Sequence, residues 1–269
     1  MADQDGRPSF VIVHGAWHDP SHFDPVTTLL HDAGFTVKAP KLPSVRNHGP
    51  DTGNALRDDI ATIADAVRNI TKTGQNVVLV MHSYAGFCGS DAAAIVCEEQ
   101  KSSPHENTHG RILRLVYLAA FVPDKGISLF ETFDPTTPQG PPLNVSAEGL
   151  LSWHNPLLGF RSPIDSFYHT TPLPIAEAAA SKLELLAFST HTASTRYAGW
   201  RDYGLPITYI ACRQDRALPA GLQQQFIDKI TAARVKDFHS VWLEESDHSP
   251  FLHSPETVAR LLREAAGSV

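Results

Sequence analysis

Short apolar runs alternate along this chain with longer stretches whose apolar positions fall at helical spacing. Ser9-Phe-Val-Ile-Val-His14 is apolar at nearly every position and stops at Gly15. A strand buried on both faces of a sheet reads this way. Phe35 to Ala39 is a second candidate strand, and Ser21 to Ala33 between them predicts a helix stopped by Gly34. After a loop bearing Pro and Gly, Asp51 to Ile70 puts Leu56, Ile60, Ile63, Ala64, Val67 and Ile70 on one helical face, with Gly74 beyond its end. Val77 to Met81 is the next strand and runs straight into His82-Ser83-Tyr84, where a helix to about Glu99 opens. Further strands are predicted at Ile112 to Phe121, Ile207 to Cys212 and around Ser240 to Leu243. Helices are predicted near Pro219 to Ala233 and from Pro255, with Ser254 as N-cap. Strands alternating with helices predict an α/β fold, a mostly parallel sheet of about six strands covered on both sides.

The rhythm breaks between Pro123 and about Tyr203. Pro, Trp and Phe are frequent there, and no strong strand is legible. One helix is, with Thr171 as N-cap, Pro172 at the first helical position, and Ile175, Ala179, Leu183 and Leu186 along a face. Such a stretch is too long for a plain connection. The predicted organisation is therefore a core of residues 1–122 and 204–269, with a helical cap inserted at 123–203.

Three polar residues follow predicted strand ends in the order Ser83, Asp215, His248. Loops beyond the carboxyl ends of parallel strands converge on one rim, so residues distant in sequence become neighbours. A serine hydroxyl is a poor nucleophile unless a sharp turn projects it beside a base and beneath oxyanion donors. A buried strand, an abrupt serine and a helix make the layout of a nucleophile elbow at Ser83. In this reading His248 takes the proton from Ser83 Oγ, and Asp215 holds the imidazole tautomer. The amide of Tyr84 supplies one oxyanion donor, and that of Ala16, in the loop after the first strand, supplies the second. Asp247 and Asp202 are rival acids, Asp247 handicapped because it would have to reach back to its own neighbour's ring.

Composition narrows the reading. The 269 residues are 42% hydrophobic and 19% charged, as in an ordinary globular domain. The net charge of −7 and the lack of a dense Lys or Arg block argue against nucleic acid and anionic membrane as partners. Cys88, Cys97 and Cys212 are far apart and odd in number, which fits a reducing compartment and no disulfide framework. With no apolar signal core and no run long enough for a bilayer, a cytoplasmic location is expected. His14, His18 and His22 repeat every four residues, but Gly15 and Pro20 predict a loop there, so no metal site is expected. His14 is expected to brace the oxyanion loop, and His18 to face the pocket. Trp153, His154, Phe160, Phe167, Tyr168, His191 and Tyr197 are candidates for its wall or for a private cap core.

His14-Gly-Ala-Trp-His18, Ala39-Pro-Lys-Leu-Pro43, His82-Ser-Tyr84, Leu115-Val-Tyr-Leu-Ala-Ala-Phe-Val-Pro123, Cys212-Arg-Gln-Asp-Arg-Ala-Leu-Pro219 and Asp247-His-Ser-Pro-Phe251 occur in that order across the core. In these segments the chain resembles the α/β-hydrolases, in particular the compact branch that includes plant methylesterases and hydroxynitrile lyases. The resemblance implies a cofactor-free Ser-His-Asp enzyme acting on small esters or related carbonyl compounds. It departs at the elbow, where G-x-S-x-G would place glycine and this chain has Met81 and Ala85. Alanine adds one methyl, whereas Met81 needs room. The leading expectation is a serine hydrolase cleaving a small, largely apolar ester, thioester or lactone. A lyase, decarboxylase or isomerase using the same triad for acid–base chemistry is the first alternative, and a non-enzymatic ligand receptor the second. A small-molecule substrate is the expected partner, with a homodimer left open.

Overall fold

A computed structural model describes residues 6–102, 109–133, 145–153 and 162–267. Nine strands are described: β1 (Ser9–Val13), β2 (Val37–Lys38), β3 (Val45–Arg46), β4 (Val77–His82), β5 (Ile112–Leu118), β6 (Leu150–Leu151), β7 (Leu185–Ala187), β8 (Ile207–Cys212) and β9 (Phe238–Leu243). Six of them form one sheet in the order β2-β1-β4-β5-β8-β9, and every neighbouring pair is parallel. The expected α/β architecture is present. β1, β4 and β8 are buried along their whole length, as their largely apolar runs require.

The chain leaves β1 for the edge strand β2, then returns to place β4 on the other side of β1. Loops after β1 and β4 therefore diverge at a topological switch point, where open parallel sheets bind ligands. Helices Asp24–Asp32 and Pro255–Ala265 pack against each other, and helices Ala55–Thr71 and Ala85–Ser102 form a second packed pair.

A second, antiparallel sheet has the order β3-β7-β6. β6 and β7 lie within the predicted cap, and β3 is contributed by the segment before the elbow. The sequence shows no strong strand there because these strands are two or three residues long. The predicted cap helix is also shorter than its apolar spacing suggested. It runs Leu173–Ala180 with Pro172 at the N-cap position. Thr171 does not cap it, because its hydroxyl donates to Asp247 Oδ2 at 3.2 Å instead. Ile175 is exposed, Ala176 and Ala179 are buried, and Leu186 belongs to β7. Ser254 occupies an N-cap position before Pro255 but makes no side-chain cap bond.

Candidate active site

The site begins at a strained residue. Ser83 has φ +54°, in the left-handed region that a side chain other than glycine's rarely adopts. Its amide donates to Leu118 O at 3.2 Å, and its carbonyl accepts from the amides of Gly86 at 3.0 Å and Phe121 at 3.2 Å. The turn is thus held on both sides while the hydroxyl side chain lines a cavity. Gly15 lets the β1 loop lie directly against this turn. A Cβ there would meet His82 Nδ1 at 2.8 Å and Ser83 Cβ at 2.9 Å.

Residues that follow the ends of β4, β8 and β9 come together here. His248 Nδ1 lies 2.7 Å from Asp215 Oδ2, with both side chains buried. Asp215 is itself fixed. Its Oδ1 accepts from the amides of Ala217 at 2.8 Å and Leu218 at 2.7 Å, and its Oδ2 accepts from Gln223 Nε2 at 3.0 Å. A carboxylate so held accepts a hydrogen bond from Nδ1–H of the imidazole, which leaves the proton-accepting lone pair on Nε2. Ser83 and His248 line the same cavity with Ala16, Trp17, His18, Tyr84, Phe121, Leu129, Phe167, His191, Ala217 and Leu218. Among the described residues, the amides of Ala16 and Tyr84 donate to no other group.

One matching family model, the alpha/beta hydrolase family, spans residues 10–261. The chain belongs to the alpha/beta hydrolase family. Alpha/beta hydrolase nvfD of Aspergillus novofumigatus is 31% identical over 264 residues, covering 97% of each chain. Methylesterase 1 of Arabidopsis thaliana is 26% identical over 273 residues, covering 96% of each. The crystal structure of polyneuridine aldehyde esterase has the same fold, with a TM-score of 0.70 at 19% identity over 96% of this chain and 98% of that one.

In this hydrolase the rival acids are engaged elsewhere. Asp247 Oδ2 accepts from Thr170 N at 2.9 Å and Thr171 Oγ1, and its Oδ1 accepts from Ser249 N at 2.9 Å. Asp202 pairs with Arg201 at 3.0 Å and is half-exposed. The three histidines of the β1 loop hold backbone rather than sharing a ligand. His14 Nδ1 donates to Gly15 O at 2.9 Å and its Nε2 accepts from Leu42 N at 3.0 Å, while burial lowers its pKa to about 4. It braces the loop after β1 in a neutral tautomer. His18 lines the cavity, with Nδ1 donating to Ala16 O at 2.7 Å and Nε2 accepting from Tyr168 Oη at 2.8 Å. Burial holds its pKa well below the ordinary value. His22 Nε2 donates to Ala179 O at 3.1 Å. Among the described residues, no group of His, Cys, Asp and Glu is placed to hold a metal ion, and no helix is long and apolar enough to cross a membrane.

His82, which the sequence offered only as part of the elbow, donates from Nε2 to His248 O at 3.0 Å. That bond ties the loop bearing the candidate base to the strand bearing the candidate nucleophile. Burial, and then the neighbouring His248, push the His82 pKa well below its ordinary value.

The wall of the cavity was only partly legible. His18, His191 and Phe167 reach it, and Tyr168 stands behind His18. Trp153 is half-buried against the core, and neither it nor Tyr197 is a lining residue. Tyr197 is drawn away because its amide donates to Asp91 Oδ1 at 2.9 Å, beside helix Ala85–Ser102. His154 and Phe160 lie outside the described residues. Trp17, Phe121, Leu129, Ala217 and Leu218 were not anticipated as walls. All but Leu129 sit inside the segments that carried the family resemblance, which was the available signal.

Proposed function

We propose that this hydrolase cleaves a small, largely apolar ester, thioester or lactone through an acyl-enzyme on Ser83. His248 Nε2 takes the Ser83 Oγ proton as the oxygen adds to the substrate carbonyl. The amides of Ala16 and Tyr84 receive the oxyanion. Collapse expels the alcohol or thiol, which leaves with the proton held by His248. A water then gives a proton to His248 and attacks the acyl group; His248 returns it to Ser83 as the acid departs. No bound cofactor enters any of these steps. The supporting observation is the joint placement of Ser83, at φ +54°, and an Asp215-oriented His248 in one apolar cavity.

Ser83→Ala should lower kcat/KM for short-chain and aryl esters by about 10⁴-fold or more, and a fluorophosphonate should label the wild type at Ser83. Equal turnover with alanine at this position would falsify the mechanism. Carbon–carbon bond cleavage without labelling would point to the lyase reading, and saturable binding without turnover to the receptor.

A further inference from the structure

Among the described residues, the cavity wall carries one unpartnered side-chain acceptor that the hydrolytic steps do not use. His191 is buried, and its ring is packed 5.1 Å from Phe130, 6.4 Å from Trp17 and 6.5 Å from Phe188 between centroids. Its Nδ1 lies 3.1 Å from Thr190 Oγ1. Thr190 Oγ1 is in turn 2.7 Å from Ala187 O. Two oxygens at that separation share a proton, and a carbonyl has none to give. The threonine proton therefore points at Ala187 O, and Thr190 Oγ1 receives the proton of His191 Nδ1. This assigns the tautomer: Nδ1 carries hydrogen and Nε2 carries a lone pair. Among the described residues Nε2 has no partner, although the ring lines the cavity. Burial lowers the imidazole pKa to about 4, so the ring stays neutral near pH 7 and Nε2 stays an acceptor.

The other lining groups sharpen the point. His18 has both nitrogens engaged by Ala16 O and Tyr168 Oη, so it presents only ring carbon to a ligand. Trp17 Nε1 donates to Leu151 O at 3.0 Å. Phe121, Leu129, Phe167, Ala217 and Leu218 offer no polar side-chain atoms. Among the described residues, and apart from Ser83 and His248, to which the proposed chemistry is assigned, the wall has a single unsatisfied side-chain acceptor. A buried acceptor favours a ligand that brings a donor and disfavours one that covers it with carbon.

We infer that His191 selects substrates carrying a hydroxyl donor on an otherwise apolar body, with the hydroxyl docked on Nε2 and the scissile carbonyl at Ser83. The proposal rests on the hydrolytic reading only for the identity of the bond cleaved; the donor requirement is a matter of binding.

Binding separates the two. In Ser83→Ala protein, in which the proposed mechanism makes turnover negligible, dissociation constants are measured by calorimetry for a ladder of methyl esters of increasing reach. These are 3-hydroxybenzoate, 4-hydroxyphenylacetate and 3-(4-hydroxyphenyl)propanoate, each against its methoxy counterpart. At least one hydroxy ester should bind about tenfold more tightly than its methoxy partner, the effect of one net hydrogen bond. Adding His191→Phe, which suits the aromatic surroundings, should bring that ratio to about one. Should the phenylalanine variant fail to fold, the same question is read in Ser83→Ala by nitrogen-15 NMR. The pyridine-type resonance missing from His191→Gln should move upfield with the hydroxy ester and not with the methoxy ester. A ladder without hydroxy preference, a preference that survives His191→Phe, or an unmoved Nε2 resonance overturns the proposal. Failure of the wild type to hydrolyse any ester would sink the hydrolytic reading and leave the binding result standing.

Discussion

The positions of Ser83, Asp215 and His248 beyond strand ends were legible one by one because each follows a run of apolar residues, and the end of such a run in a parallel sheet has a known address. Asp59 had no such signal. It sits mid-helix in Ala55–Thr71, fully buried, where Oδ2 accepts from Tyr84 Oη at 2.8 Å and Oδ1 from Ser44 N at 2.9 Å. Through Tyr84 it touches the residue whose amide is proposed for the oxyanion. Burial raises its pKa from 3.8 to about 7. The unfolded carboxyl ionises first as pH rises, so between about pH 4 and pH 7 the unfolded state sheds a proton that the native state keeps. The stabilising effect of that retained proton is fully present below about pH 4 and is lost as pH climbs to 7. Asp59→Asn has no such titration. Wild type should therefore lose on the order of 3–4 kcal/mol relative to Asp59→Asn between pH 4 and pH 7, with no further change above. Denaturant melts of both proteins across that range measure it, and parallel curves would mean that Asp59 is ionised in the native state. His14 and His191, each lowered to about 4, act in the opposite direction in both proteins and cancel in the comparison.

At the level of strand and helix, the non-glycine elbow has a compensating partner. Met81 is buried, and its Sδ lies where a Cβ on Gly89 would be, 2.5 Å away. Room for the methionine comes from helix Ala85–Ser102, not from the elbow itself. Gly86 meets a harder obstacle, because a Cβ there would run into the backbone carbonyl of Phe121. Helix propensity favours alanine over glycine by about 1 kcal/mol, but overpacking against unyielding backbone costs more. Gly86→Ala should destabilise by at least about 2 kcal/mol. Gly89→Ala should also destabilise the wild type, and should become neutral or stabilising in a Met81→Ala background. A double-mutant cycle in denaturant should give a coupling of at least about 1 kcal/mol; additive effects would show that the two positions do not share space. The pattern of the long elements was readable because each spans enough residues to show its period. β3, β6 and β7 were not, since a pair or triplet of residues has no period and their partners are distant in sequence.

Across the whole molecule, the cap region is stitched into the core. β3, from the segment before the elbow, pairs with β7, and Ala187 N donates to Ser44 O at 2.9 Å. Trp17 receives Glu184 N on its carbonyl at 2.9 Å while its indole reaches Leu151 O, and Lys41 pairs with Glu184. Asp247, beside His248, anchors Thr170 and Thr171. Among the described residues, the cap's small cluster of Leu150, Leu185 and Ala187 packs on Ala55 of the core, so cap and core should melt together. Thermal unfolding followed by far-ultraviolet circular dichroism and by fluorescence of Trp17, Trp153, Trp200 and Trp242 should give coincident transitions. Two resolved transitions would show the cap to be an independent body. The sequence alone determined the parallel sheet, the order of its strands along the chain and the placing of Ser83, Asp215 and His248 at strand ends, because burial on both faces and abrupt turns leave marks in neighbouring residues. Only the tertiary structure decided which carboxylate met which imidazole, which aromatic rings became cavity wall, and that His191 lines it with no partner for Nε2 among the described residues. Those outcomes depend on hydrogen-bond partners drawn from remote segments, and no local pattern encodes a partner.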